Sequence, residues 1–215
     1  MKTYRVLLVE DRMIHQSYFE NLLQASGRYL LVGTEANMED AVQFCGHTLV
    51  DLILADAVNE EGQTCFAAQV ECKRKYPHIR SVVVTDSADP SFLERAEEYG
   101  VESFWYAADR QSLLSVLDRT MEGKSVFPVH PPVVKIGQAE SNAFSEKELQ
   151  ILREVVKGDS NKEIAETLQM SYYTARDYVK GMLEKSELPS RTALAAEAVM
   201  SGLIVLEKRT GKPVR

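Results

Sequence analysis

Cysteine is scarce in this chain, with only Cys45, Cys65 and Cys72 among 215 residues. The number is odd and no spacing suits a zinc site, so a disulfide framework and a structural zinc are both excluded as organising devices. Cys65 and Cys72 lie seven apart, a core spacing on a helix, and free buried thiols are expected. Long hydrophobic runs are also missing. None approaches the ~18 residues of a membrane span, so no membrane partner is expected. The first residues, Met1-Lys2-Thr3-Tyr4-Arg5, contain no apolar core of signal-peptide length and no small-residue cleavage site. A cytoplasmic location is the expectation. Positive charge is short too: 25 basic residues against 32 acidic ones give a net charge of −7. That balance argues against a nucleic-acid binder if it is spread evenly.

It is not spread evenly. Residues 141–215 hold 12 basic and 11 acidic residues, leaving −8 of the total on residues 1–140. An acidic front and a near-neutral back point to two domains with different partners. The chain is 45% hydrophobic and 27% charged, as folded domains are.

The front alternates strand and helix signals. Short apolar runs at Tyr4–Val9, Leu30–Gly33, Leu52–Ala55, Ser81–Thr85 and Ser103–Tyr106 read as strands, the first of them buried on both faces. Between them lie helical spacings. Arg12–Ser26 has Ile14, Tyr18, Leu22 and Leu23 as its inward stripe and Gly27 as a stop. Met38–Cys45 starts after Asn37 as N-cap, Gln63–Tyr76 stops before Pro77, and Asp89-Pro90 opens a helix closed by Gly100. Arg110–Glu122 is the last. Five βα units in a row predict a parallel, doubly wound α/β fold. Gly123–Ala143, with three prolines and little periodicity, reads as a linker.

The tail is all helical. Ser145-x-x-Glu148 and Ser160-x-x-Glu163 have the capping-box form. Ser171 caps a third helix, running to about Lys185, and a fourth runs from about Ser190 to Ser201. Two short helices joined at Gln169-Met170 form a helix-turn-helix connection. Ala175, Val179, Met182 and Leu183 are the inward side of the second. Tyr172, Tyr173, Arg176, Asp177 and Lys180 are left outward, with Lys162 and Thr174 placed to reach phosphates. An ordinary helical bundle with a solvated charged face is the competing reading of the same residues.

Chemistry concentrates at the carboxyl ends of the strands, where open parallel sheets bind ligands. Glu10 and Asp11 follow the first strand, Asp56 ends the third and Thr85 ends the fourth. Chain-distant acids on one edge repel each other and call for a hard cation, Mg²⁺ with oxygen ligands. A carboxylate such as Asp56 could attack a phosphoryl group, with Thr85 donating a hydrogen bond to the product. Strand-end acids that merely cap helices are the competing reading.

The segments V-L-L-V-E-D, D-L-I-L-A-D and V-V-V-T resemble a bacterial response-regulator receiver domain. The tail, F-S-E-K-E-L-Q-I-L with G-D-S-N-K-E-I-A-E-T-L and S-x-x-T-A-R, resembles the LuxR-type helix-turn-helix. Together they cover nearly the whole chain in the order of the NarL/LuxR family. The resemblance implies a receiver over 1–122, a linker over 123–143, a four-helix LuxR-type domain over 144–206 and a tail over 207–215. It implies Asp56 as phosphoacceptor, and Mg²⁺ held by Glu10, Asp11, Asp56 and the main-chain carbonyl of Val58. Thr85 is the implied switch hydroxyl and Phe104 the aromatic that rotates with it. Arg176 and Lys180 fall at DNA-contacting positions, and Tyr178 stands where a histidine is common. The fourth helix implies a homodimer through Leu194, Ala195, Ala198 and Val199, although that stripe packing on its own domain is an equal reading.

Two departures stand out. Ala107 falls where the family has a lysine, and Asn59-Glu60-Glu61-Gly62 replaces the usual Met-Pro and glycine. Hence two modes of control stay open. In one, a histidine kinase or small phosphodonor phosphorylates Asp56 and so governs binding to double-stranded DNA. In the other, a degenerate receiver answers to a ligand, a partner or oligomerisation. Outside transcription, a protein-interaction adaptor is the alternative. An enzyme is not expected, because a phosphatase of this kind wants Asp-x-Asp and the chain has Asp56-Ala57-Val58.

Overall fold

The structure, a computed structural model, describes residues 3–109 and 111–207. Arg110, where the last front helix was expected to start, and residues 208–215 of the expected tail lie outside the described residues. The chain divides into two compact units, the first built on residues up to 130 and the second on Pro131–Leu206.

The first unit alternates strand and helix: β1 (Tyr4–Val9), α1 (Met13–Ser26), β2 (Tyr29–Glu35), α2 (Met38–Phe44), β3 (Leu52–Asp56), α3 (Phe66–Lys75), β4 (Arg80–Thr85), α4 (Pro90–Glu98), β5 (Ser103–Tyr106) and α5 (Leu113–Met121). All five strands are parallel, in the order β2-β1-β3-β4-β5. The winding direction reverses between β1 and β3, so the segments leaving those two strands diverge and open a crevice. Glu10 and Asp56 stand at that edge. One sheet face packs Val6, Leu8, Leu52, Leu54, Val82, Val84 and Trp105 against Phe19, Leu23, Leu113, Val116 and Leu117.

α1 is rotated from the expected stripe. Ile14 is 83% and Tyr18 53% exposed, while Phe19 and Leu23 face the core. Residues 19 and 23 are four apart and meet the sheet on one face, which carries 14 and 18 outward. α3 starts three residues later than expected. Asn59 and Gln63 close a turn instead, with Gln63 N–H donating to Asn59 Oδ1 at 2.8 Å and Gly62 in the left-handed region at φ +76°. All three cysteines are buried and free.

In the second unit, β6 (Lys135–Ile136) and β7 (Ala139–Glu140) form a small hairpin. α6 (Glu146–Lys157), α7 (Asn161–Thr167), α8 (Tyr172–Ser186) and α9 (Arg191–Met200) follow. Both capping boxes form, Ser145 with Glu148 and Ser160 with Glu163. The core gathers Ile151, Leu152, Ile164, Ala175, Val179, Met182 and Leu194.

The expected linker is largely structured. Val126 joins the first unit's core, and Phe104 N–H donates to its carbonyl at 2.8 Å. Ile136, Ala139 and Phe144 join the second core. The hairpin turns at Gly137, which has φ +58° and lies so close to the chain at Ser186 that a Cβ would meet its carbonyl oxygen at 2.2 Å. Low periodicity hid this segment, because a two-residue strand carries no pattern to read. The division between the two units falls at His130 and Pro131.

Candidate functional sites

Asp56 ends β3 with its side chain buried beside Glu10. The residue that organises this site is Arg12. Its guanidinium contacts Asp56 Oδ2 through Nη2, Glu10 Oε1 through Nε at 3.2 Å, and Asp86 Oδ2 through Nη1 at 3.2 Å. Its own N–H donates to Glu10 Oε1 at 2.9 Å, which seats the side chain. His15 Nδ1 lies 3.1 Å from Glu10 Oε2. Burial alone would disfavour the charge on Arg12, but Asp56, Glu10 and Asp86 hold it more firmly protonated than usual. Burial pushes the Asp56 carboxyl up to about 8; Arg12 opposes this, and the charges of Glu10 and Asp86 add to it.

The ligand atoms brought within 4.8 Å of one another, among the described residues, belong to Glu10, His15 and Asp56. Asp11 is not in that group. Asp11 Oδ2 instead accepts the Glu60 N–H at 2.8 Å, and Val58 pairs with Thr64 in a short bridge. Glu10 has both carboxylate oxygens engaged, by Arg12 and His15. Asp11 Oδ1 and Asp56 Oδ1 are nonetheless buried with no hydrogen-bond partner. Buried carboxylate oxygens in that state fit a hard divalent cation, whereas the imidazole nitrogen suits Mg²⁺ poorly.

Thr85 ends β4 and pairs in register with Tyr106, not with Phe104. Residues 104 and 106 share a sheet face, and their rings meet edge-on at 5.0 Å. Tyr106 is therefore the aromatic neighbour of Thr85, and Phe104 lies one step behind it. Ala107, with Arg12, His15, Asp56, Thr85 and Trp105, lines a hollow of about 400 Å³. Sequence reasoning missed Arg12, His15, Asp86 and Tyr106. Arg12 was the most findable, since it directly follows the acid pair.

In the second unit α7 and α8 meet at a tight turn with Gln169 at φ +52°. Ala175, Val179 and Met182 point into the core. Tyr172, Tyr173, Thr174, Arg176, Asp177 and Lys180 line the solvent face, and Lys162 is exposed on α7. The cations on this face have acidic neighbours. Arg176 Nη2 lies 2.9 Å from Asp177 Oδ1, with its guanidinium 5.4 Å from the Tyr173 ring centroid. Lys180 pairs with Glu184 at 3.4 Å and Lys162 with Glu166 at 4.0 Å.

The expected pairing stripe on α9 is corrected in part. Leu194 and Ala198 are fully buried in their own core, because helical periodicity cannot tell an intradomain stripe from an interface. Ala195 is half-buried, while Val199 and Met200 are exposed.

A parallel (βα)₅ unit with a strand-end acid, followed by a helix-turn-helix unit, defines the class of response regulators. Residues 142–198 match the family described as bacterial regulatory proteins, luxR family. Along the whole chain, the response regulator protein VraR of Staphylococcus epidermidis is 28% identical over 206 residues, covering 93% of this chain and 98% of that one. VraR of Staphylococcus aureus is 26% identical over 208 residues, covering 94% and 99%. The chain is thus similar along nearly its whole length to response regulators, and its second unit carries the luxR-family match. Its fold is that of RcsB, as seen in a structure of two RcsB dimers bound to two parallel DNAs. That match has a TM-score of 0.61 at 18% identity and covers 94% of this chain and all of that one. A second structure, of an RcsB–DNA complex, gives a TM-score of 0.60 at 18% identity over 94% of this chain and all of that one. No helix among the described residues is long and apolar enough to cross a membrane.

Proposed function

We propose that this chain is a cytoplasmic transcription regulator, not an enzyme, that binds double-stranded DNA through α8 and is controlled by phosphorylation of Asp56. The observation that carries the DNA reading is the solvent face of α8. Tyr172, Tyr173, Arg176 and Lys180 stand free of the core on a helix whose N-terminal end is open. In a helix-turn-helix that end meets the base edges of the major groove. Lys162 and Thr174 contact phosphates in this reading, and Asp177 faces a base, where it accepts from cytosine N4.

For the receiver, the phosphodonor is a partner histidine kinase or a small acyl phosphate. An Asp56 carboxylate oxygen attacks phosphorus, the bond from phosphorus to the donor breaks, and the donor leaves with the electron pair. Glu10, Asp11, Asp56 and the main-chain carbonyl of Val58 are the groups that would hold Mg²⁺, which would supply charge neutralisation for the incoming phosphoryl oxygens. Thr85 donates to the product, with Tyr106 and Phe104 behind it as the packing that responds. Homodimerisation on paired half-sites uses the exposed Val199 and Met200 of α9 with the half-buried Ala195 beside them.

Fluorescence anisotropy on genomic fragments tests the DNA reading. Sequence-selective binding lost in Arg176→Ala supports it, and an absence of binding to any duplex sinks it. Incubation with acetyl phosphate and Mg²⁺, read by intact mass, tests the acceptor. A labile adduct on the wild type and none on Asp56→Ala is expected. No adduct on the wild type would remove phosphorylation from the proposal and leave DNA binding standing.

A further inference from the structure

We propose that Arg12 is the phosphoryl-sensing cation of this receiver, exchanging its contact with Asp86 for the group on Asp56. The proposal rests on the reading of Asp56 as phosphoacceptor. Three carboxylates, Glu10, Asp56 and Asp86, converge on this one guanidinium. Arg12 is the only lysine or arginine lining the hollow beside Asp56 among the described residues, and Ala107, which also lines it, offers no charge. A phosphoryl group on Asp56 would bring further negative charge into a site that already holds three acids. The guanidinium is the local charged donor able to meet it, through the Nη1 that now contacts Asp86.

The three contacts are not equivalent. The Glu10 side chain is almost wholly buried and fixed by Arg12 N–H and His15, so that contact anchors the arm. Asp86 is the exposed partner, with 55% of its side chain in solvent, and its 3.2 Å contact is the weakest held. Asp86 directly follows Thr85, and Ala107 N–H donates to the Thr85 carbonyl at 2.8 Å. Moving Nη1 from Asp86 to a phosphoryl oxygen therefore releases the end of β4 at the residue next to the switch hydroxyl. The hollow of about 400 Å³ leaves room for both the group and the swing. Arg12 thus does from α1's leading edge what a lysine at position 107 would do from β5.

The test uses the full chain with beryllofluoride and Mg²⁺, a phosphoryl mimic whose bound signal is read by ¹⁹F NMR. Loss of a charge-assisted contact predicts that Arg12→Gln binds beryllofluoride about 10–150-fold more weakly. Arg12→Gln combined with Ala107→Lys recovers most of that loss, which a merely structural role would not allow. Asp86→Asn, an exposed change that keeps the fold, binds about two- to fivefold tighter because a competing acid is gone. Equal affinity in wild type and Arg12→Gln overturns the proposal while leaving Asp56 as acceptor. If Arg12→Gln does not fold, unchanged or weaker binding by Asp86→Asn overturns it. A wild type that binds no beryllofluoride removes the acceptor reading, and this inference with it.

Discussion

Replacing Asp56 by asparagine should stabilise the protein, and increasingly so as pH rises. Burial lifts this carboxyl from 3.8 to about 8, with Glu10 and Asp86 adding to the lift and Arg12 opposing it. Near pH 4 and below, Asp56 is protonated in both the folded and the unfolded chain and costs nothing. Between about pH 4 and 8 the unfolded chain gives up the proton while the folded one keeps it, so stability drains away as pH rises. Above about 8 the loss is complete. Each pH unit of that gap is worth about 1.4 kcal/mol, which caps the penalty at about 6 kcal/mol. Polar relaxation around buried charges reduces such penalties, and about 1–3 kcal/mol is the expected gain. Asparagine keeps the shape, and Arg12 retains Glu10 and Asp86 as partners. The assay is thermal unfolding in EDTA at half-unit steps from pH 5 to 8.5. The melting temperature of Asp56→Asn should pull ahead of wild type by a few degrees at the alkaline end, at roughly 2–8 °C per kcal/mol. A constant offset across the range, or a less stable variant at pH 8, would refute the reasoning. Adding Mg²⁺ should then raise the wild type and leave Asp56→Asn almost unmoved.

Gly137→Ala should cost about 1–3 kcal/mol in chemical denaturation of the second unit, since it forces a left-handed residue and a clash with the Ser186 carbonyl. An unchanged midpoint would mean that the hairpin yields freely. Lys180→Ala should weaken binding to specific and random duplexes alike and flatten the salt slope by about one, as loss of a phosphate contact does; unequal losses would move Lys180 to a base. Asp177→Asn releases Arg176 from its 2.9 Å partner and removes an anion from the solvent face of α8. Affinity for random duplex should rise about two- to fivefold in anisotropy titrations, with a steeper salt slope.

The fold was legible in the sequence wherever periodicity was strong. Five buried strands separated by capped helices leave few arrangements other than a doubly wound sheet, and Ser-x-x-Glu boxes mark helix starts through their own backbone hydrogen bonds. Asp56, Thr85 and the α8 surface residues could be picked out because strand ends and the outward positions of a helix follow from local register. What stayed hidden depends on contacts between distant segments. No local pattern turns Ile14 and Tyr18 outward, seats Ile136 in the second core, or decides between the own-core and pairing readings of Leu194 and Ala198.

The same division runs through the acid site. The sequence by itself determined that acids gather at the carboxyl edge of the sheet and that no lysine stands at position 107. Only the tertiary structure decided which cation answers them. Arg12 belongs to a different βα unit from Asp56 and Asp86, 44 and 74 residues away. Charges pair through space and not along the chain, so their partnership exists only once β1, β3 and β4 lie side by side.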